Sequence, residues 1–141
     1  MRQLETLIKM HKLYVDEQRR ILAAKQGEAD AILMAIAALQ ANLEMEKERA
    51  SQTDEADVLF SIGIYIKDQL QRHERMQRDL SAKEREVHTE REKLSVMFEE
   101  LKRYEIAQEN WENEQRKAEQ TAENKVYDEQ SGQRHHRKGE E

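Results

Sequence analysis

With 141 residues, of which 38% are charged and 5% aromatic, the chain has too few large apolar side chains for a conventional globular core. Its net charge of −6 is dispersed: residues 1–50 carry eight basic and eight acidic side chains, and residues 51–130 carry thirteen and twenty, so no single-sign block suits general nucleic-acid binding. Cysteine is absent, which excludes disulfides, thiolate metal sites and cysteine catalysis.

The first element is read from alternating steps of four and three. From Leu4 they visit Ile8, His11, Val15, Gln18, Leu22, Lys25, Ala29, Ile32, Ile36, Leu39, Leu43, Glu46 and Ala50. Most stops are apolar, which predicts a helix over about residues 2–50 with one buried seam. Leu7, Tyr14, Ile21 and Leu33 flank that seam and are expected to widen it. Gly27 falls inside the helix and is read as a tolerated defect. The longest apolar window, Ala29 to Leu39, is broken by Asp30 and is too short to span a bilayer. No signal peptide is expected, and a cytosolic location follows.

Residues 51–57, Ser-Gln-Thr-Asp-Glu-Ala-Asp, read as a short polar turn. Thr53 or Asp54 is the candidate cap of the next helix, and a later start with Ser61 as cap is the alternative. A second walk starts at Leu59 and passes through Ile62, Ile66, Gln69, His73, Met76, Leu80, Lys83, Val87, Glu90, Leu94, Met97, Leu101, Tyr104, Gln108, Trp111, Gln115 and Ala118 to Ala122 without a slip. It predicts a longer helix over about residues 58–128. Acid-before-base pairs such as Asp79–Lys83 and Glu112–Arg116 at i,i+4 support it, each by ~0.2–0.5 kcal/mol. Proline is absent, so no backbone donor is missing from either helix.

A turn this short makes the helices antiparallel neighbours. The predicted fold is all-α: a long antiparallel two-helix coiled-coil hairpin over residues 1–130, its second helix longer than its first. A disordered tail is expected over residues 131–141. Ile32 is expected to face Met76. Lys25 is expected to meet Glu84, Glu86 or Glu90 across the seam and fix the register.

The sequence contains no P-loop and no His-Glu-x-x-His segment. A two-helix hairpin also lacks a deep pocket in which a carboxylate pKa could be raised. The chain is therefore read as a non-enzyme without cofactor or metal. His135 and His136 sit beside cations in the tail and read as solvated. His11 and His73 read as polar seam residues. Binding surfaces are expected in three places. One is the apolar segment near the turn, Val58, Leu59, Phe60, Ile62, Ile64, Tyr65 and Ile66, in which Ile64 and Tyr65 point away from the Ile62–Ile66 line. The second is the unpaired end of helix two, with Tyr104, Ile106, Trp111 and Tyr127. The third is the basic set Lys9, Lys12, Arg19 and Arg20.

Residues 4–20, LETLIKMHKLYVDEQRR, and residues 98–129, FEELKRYEIAQENWENEQRKAEQTAENKVYDE, resemble the two ends of the FliJ family, coiled-coil proteins of the bacterial flagellar export apparatus. The short–long helix asymmetry fits as well. The resemblance implies a stalk-like protein resembling the centre of rotary ATPases. Both chain ends would enter and activate a hexameric FliI-like export ATPase through Leu4, Leu7, Lys9, Lys12, Arg19, Lys102, Arg103, Tyr104 and Trp111. Phe60, Ile64 and Tyr65 would face a FlhA-like export gate protein or export chaperones. It also implies a role in flagellum assembly and motility, in the cytoplasm at the inner membrane face and without a membrane span. A self-associating scaffold or a type III secretion stalk protein is the alternative.

Overall fold

A computed structural model describes the backbone of residues 2–140, and their side chains except those of 136–138 and 140. It contains two helices, α1 (Arg2–Ser51) and α2 (Ala56–Glu140), and no strand among the described residues. The bounds of α1 match the sequence expectation to one residue. The turn is tighter than expected. Gln52 N–H donates to the Arg49 carbonyl at 3.2 Å, and Leu59 N–H donates to the Glu55 carbonyl at 3.0 Å, which opens α2. Thr53 does not cap the helix amides. Its Oγ1 accepts from Glu55 N–H at 3.3 Å, a turn that stops one residue short of the helix.

The chain divides into two compact units. One comprises residues 15–96, and the other residues 1–14 with 97–141. Within the first unit the helices run antiparallel, because partner numbers fall on α2 as they rise on α1. Gln18 meets Glu90, Lys25 meets Glu86, Glu28 meets Lys83 and Gln40 meets His73. The apolar cluster is Ala29, Ile36 and Leu80, with Ile32, Met76 and Val87 packed against it. Ile32 and Met76 thus meet as expected, and of the three candidate carboxylates it is Glu86 that Lys25 reaches. The unit also buries Val15, Leu39, Leu43 and Ile62. Each such side chain contributes roughly 1.5–3 kcal/mol when fully buried.

In the second unit residues 2–14 pair with the part of α2 that begins at Met97. His11 packs on Tyr104 at 4.8 Å between ring centroids, and its Nδ1 lies 4.0 Å from Glu100 Oε2. Leu101 is buried, and Leu4, Leu7, Ile8 and Trp111 are half-buried.

Three expectations need correction. Tyr14, Ile21 and Leu33 are exposed rather than widening the seam. One partner helix covers only the central stripe, and a broader one needs a third helix. Val58, not Leu59, is the half-buried residue at the start of α2. Finally, α2 runs as helix to Glu140, past the end expected near residue 128. No proline interrupts it, so local hydrogen bonding carries it on, and the described side chains from Glu112 to His135 are all exposed.

Candidate protein-binding surfaces

Within residues 15–96 the seam carries a chain of polar contacts. Gln18 is 4% exposed, and its Nε2 donates to the Glu90 carbonyl at 3.0 Å and to Glu90 Oε2 at 2.5 Å. Two turns further along α1, Lys25 Nζ lies 3.3 Å from Glu86 Oε2, and Lys83 Nζ lies 2.6 Å from Glu28 and 2.9 Å from Glu86. Lys83 therefore reaches across to α1 instead of pairing with Asp79. The Lys83 hydrogen bond holds the Glu28 and Glu86 carboxyls below the ordinary glutamate range, and the Gln18 amide does the same for Glu90. Its bonds to Glu28 and Glu86 hold the Lys83 ammonium above the ordinary lysine range. These groups satisfy one another within the protein. They fix register, because a slip of one heptad would set Gln18 and Lys25 against other side chains.

The segment that opens α2 is different. Phe60 is 72% exposed and Ile64 56% exposed, and both lie off the Ile62–Ile66 line that faces α1. Tyr65 turns to the other side, into an open recess with Glu46, Arg49, Asp57, Val58, Ser61 and Ile62. The three residues expected to face a gate or chaperone are thus accessible, but on two sides of the helix rather than in one patch.

Of the residues expected to engage an ATPase, Arg19 belongs to the unit of residues 15–96, where it pairs with Asp16 at 3.7 Å. The other unit brings together Leu4, Leu7, Lys9, Lys12, Lys102, Arg103, Tyr104 and Trp111. The four cations are exposed. Tyr104 and Trp111 are half-covered seam residues rather than free anchors. Beyond Trp111 the seam positions Gln115, Ala118 and Ala122 are exposed, and so are Val126 and Tyr127. Local pairs support the helix here: Gln108 Nε2 donates to Glu112 at 3.1 Å, and Arg116 donates to Asn113 Oδ1 at 2.7 Å. Arg116 takes Asn113 in place of the expected Glu112. His135 is exposed, and the side chain of His136 lies outside the described residues.

Sequence reasoning placed Gln18 and Glu90 on the seam but missed that they bond to each other. The signal was present in the two walks, since both residues interrupt an apolar run at facing heights. Among the described residues, no group of three or more side chains is arranged to hold a metal ion. No helix among them is long and apolar enough to cross a membrane.

Neither the curated proteins nor the solved structures provide a match to this chain. The family model described as "Flagellar FliJ protein" matches residues 1–140. Two helices of unequal length, antiparallel within residues 15–96, agree with that match. The chain belongs to the flagellar FliJ protein family and is a component of the flagellar export apparatus.

Proposed function

We propose that the protein works as a stalk-like coiled coil that binds and activates a hexameric, FliI-like export ATPase without catalysing a reaction itself. The observation that carries this reading is the exposed seam of α2 beyond Trp111. The helix continues, its four–three spacing continues, and no second helix of this chain covers Gln115, Ala118 or Ala122. A helix of such composition gains cover from another protein. The neighbouring exposed cations Lys9, Lys12, Lys102 and Arg103 suit carboxylates on a partner's wall. Leu4, Leu7, Tyr104 and Trp111 contribute by holding the pairing from which this segment projects, and Arg19 by its charge.

The apolar start of α2, with Phe60, Ile64 and Tyr65, is the surface proposed for a FlhA-like gate protein or an export chaperone. The protein would then sit on the cytoplasmic face of the membrane through these partners, in support of flagellum assembly and motility.

The test is stimulation of the purified ATPase. The Lys102→Glu/Arg103→Glu double variant alters exposed side chains only, and stimulation is expected to fall while helicity stays constant. The Tyr104→Ala/Trp111→Ala double variant should weaken stimulation too, with a lower melting temperature. Full stimulation by both variants removes this surface from the interface. A second reading, self-association as a scaffold, rests on the same exposed Ala118, Ala122 and Val126. It requires a concentration-dependent dimer in sedimentation and no effect on an ATPase.

A further inference from the structure

Gly63 lies inside α2, where glycine is destabilising relative to alanine. The fold does not require it. A Cβ built at Gly63 meets nothing within 4 Å, and its φ is not positive. Its surroundings are apolar and outward-facing. At 3.6 residues per turn, Leu59, Gly63 and Leu70 share one stripe that borders the seam residue Ile66, and Phe60 and Ile64 lie on the side away from the seam, with Lys67 between the two. Leu59, Phe60, Ile64 and Leu70 are all exposed. The glycine is therefore a notch between large apolar side chains. Such a notch lets a second backbone approach closely.

The charged side chains here are predominantly acidic. Over residues 54–70 the charged side chains are Asp54, Glu55, Asp57 and Asp68 against Lys67, a balance of −3, and all are exposed. A second copy of this chain would bring the same acids together. An anionic membrane would be repelled in the same way. The complementary occupant is an amphipathic helix with an apolar face and basic flanks.

We infer that the outer face of α2 around Gly63 is a docking groove for a net-basic amphipathic helix of a partner protein, with Phe60 and Ile64 as anchors and Gly63 as the point of closest approach. This rests on the proposed role of the α2 start as a partner-facing surface, and it adds the chemistry of the partner.

The probes are two synthetic helical peptides of about 20 residues, long enough to hold a helical face. Both carry leucine on that face. One has lysine and the other glutamate at every flanking position. Binding to the full-length protein is followed by fluorescence anisotropy at low salt, with thermal melts in parallel. The lysine peptide is expected to bind saturably, at least ~10-fold tighter than the glutamate peptide. Gly63→Ala is expected to raise the melting temperature yet weaken the lysine peptide several-fold. Phe60→Asp is expected to abolish binding with the melt unchanged. Equal affinity for the two peptides overturns the inference. So does a Gly63→Ala protein that melts higher and binds as before, which makes the glycine a tolerated defect. A wild-type dimer that Phe60→Asp dissolves overturns it in favour of a second copy. Cells carrying Phe60→Asp separate the two levels. Lost swimming together with absent peptide discrimination discards the groove and leaves the partner-facing role standing. Normal swimming discards both.

Discussion

From Ile62 to Trp111 every stop of the four–three walk on α2 is buried or half-buried, whereas Gln115, Ala118 and Ala122 on the same walk are exposed. The periodicity is the same in both stretches, so periodicity alone does not decide burial. The covered stretch faces α1 and carries leucine, isoleucine, methionine and valine. The exposed stretch has alanine and glutamine at its seam positions and only local side-chain pairs to support it. A heptad pattern thus reports where a helix can be covered, and the supply of a partner helix decides where it is.

The sharpest way to break this contrast is to delete volume on each side of it. Leu80 is buried against Ala29 and Ile36, so Leu80→Ala is expected to cost about 2–5 kcal/mol in denaturant unfolding. Val126→Ala, on the exposed stretch, should stay within about 0.5 kcal/mol. Equal losses at the two sites would mean that the C-terminal stretch is packed after all.

Two glutamines sharpen the comparison further. Gln18 is buried with its amide donating twice to Glu90. Gln108, on the seam of the other unit, keeps its Oε1 buried without a hydrogen-bond partner. Removing a buried amide that bonds across the seam costs stability, whereas replacing one whose buried oxygen is unsatisfied with an apolar group costs little or is favourable. Gln18→Leu is therefore expected to lower the melting temperature, by less than Leu80→Ala does, and Gln108→Leu to leave it unchanged or raise it. Melts in which both variants fall together would show that Gln108 Oε1 has a partner in solution.

The polar seam also sets a pH response. Glu28, Glu86 and Glu90 have pKa values lowered by folding, through Lys83 and Gln18. Their contribution is present above the ordinary glutamate pKa and is lost as the pH falls through the lower folded values. Lys83 has a raised pKa, so its contribution holds below the ordinary lysine pKa and fades as the pH climbs through the higher folded value. Stability from this network should be flat through neutral pH and decline in acid. Its surface exposure makes the effect modest and salt-sensitive. Substituting Gln at positions 28 and 86 should flatten the acid limb, and an unaltered limb would assign the acid response to other carboxylates.

Much of this fold was legible in the residues. The two walks located every seam position from Leu4 to Ala50 and from Ile62 to Trp111, because helical period and apolar spacing are local properties. The width of the seam was not legible. Tyr14, Ile21 and Leu33 look like core beside their neighbours, and only the number of packed helices decides whether they are covered. The partner of Lys83 was hidden for a similar reason. Asp79 and Glu86 sit on its own helix at suitable spacings, while Glu28 comes within reach only once the register is set. The candidate surfaces were legible as exposed aromatic and basic residues. The open space beside Gly63 was not, since a glycine in a sequence does not say whether anything fills the space beside it.

The smallest expected effect lies at the far end of α2. The described side chains from Glu129 to His135 are exposed and Gly132 interrupts their run, so this stretch has no apolar face to bury. Its helix is held by backbone hydrogen bonds with no tertiary support, the condition in which helices fray. Ending the chain after Asp128 should leave the melting temperature and denaturant midpoint where they are, while reducing the helical signal by no more than the residues removed. A clear loss of stability would show that the end of α2 packs on something. The contrast between a helix covered by its own chain and one left exposed would then have to be redrawn.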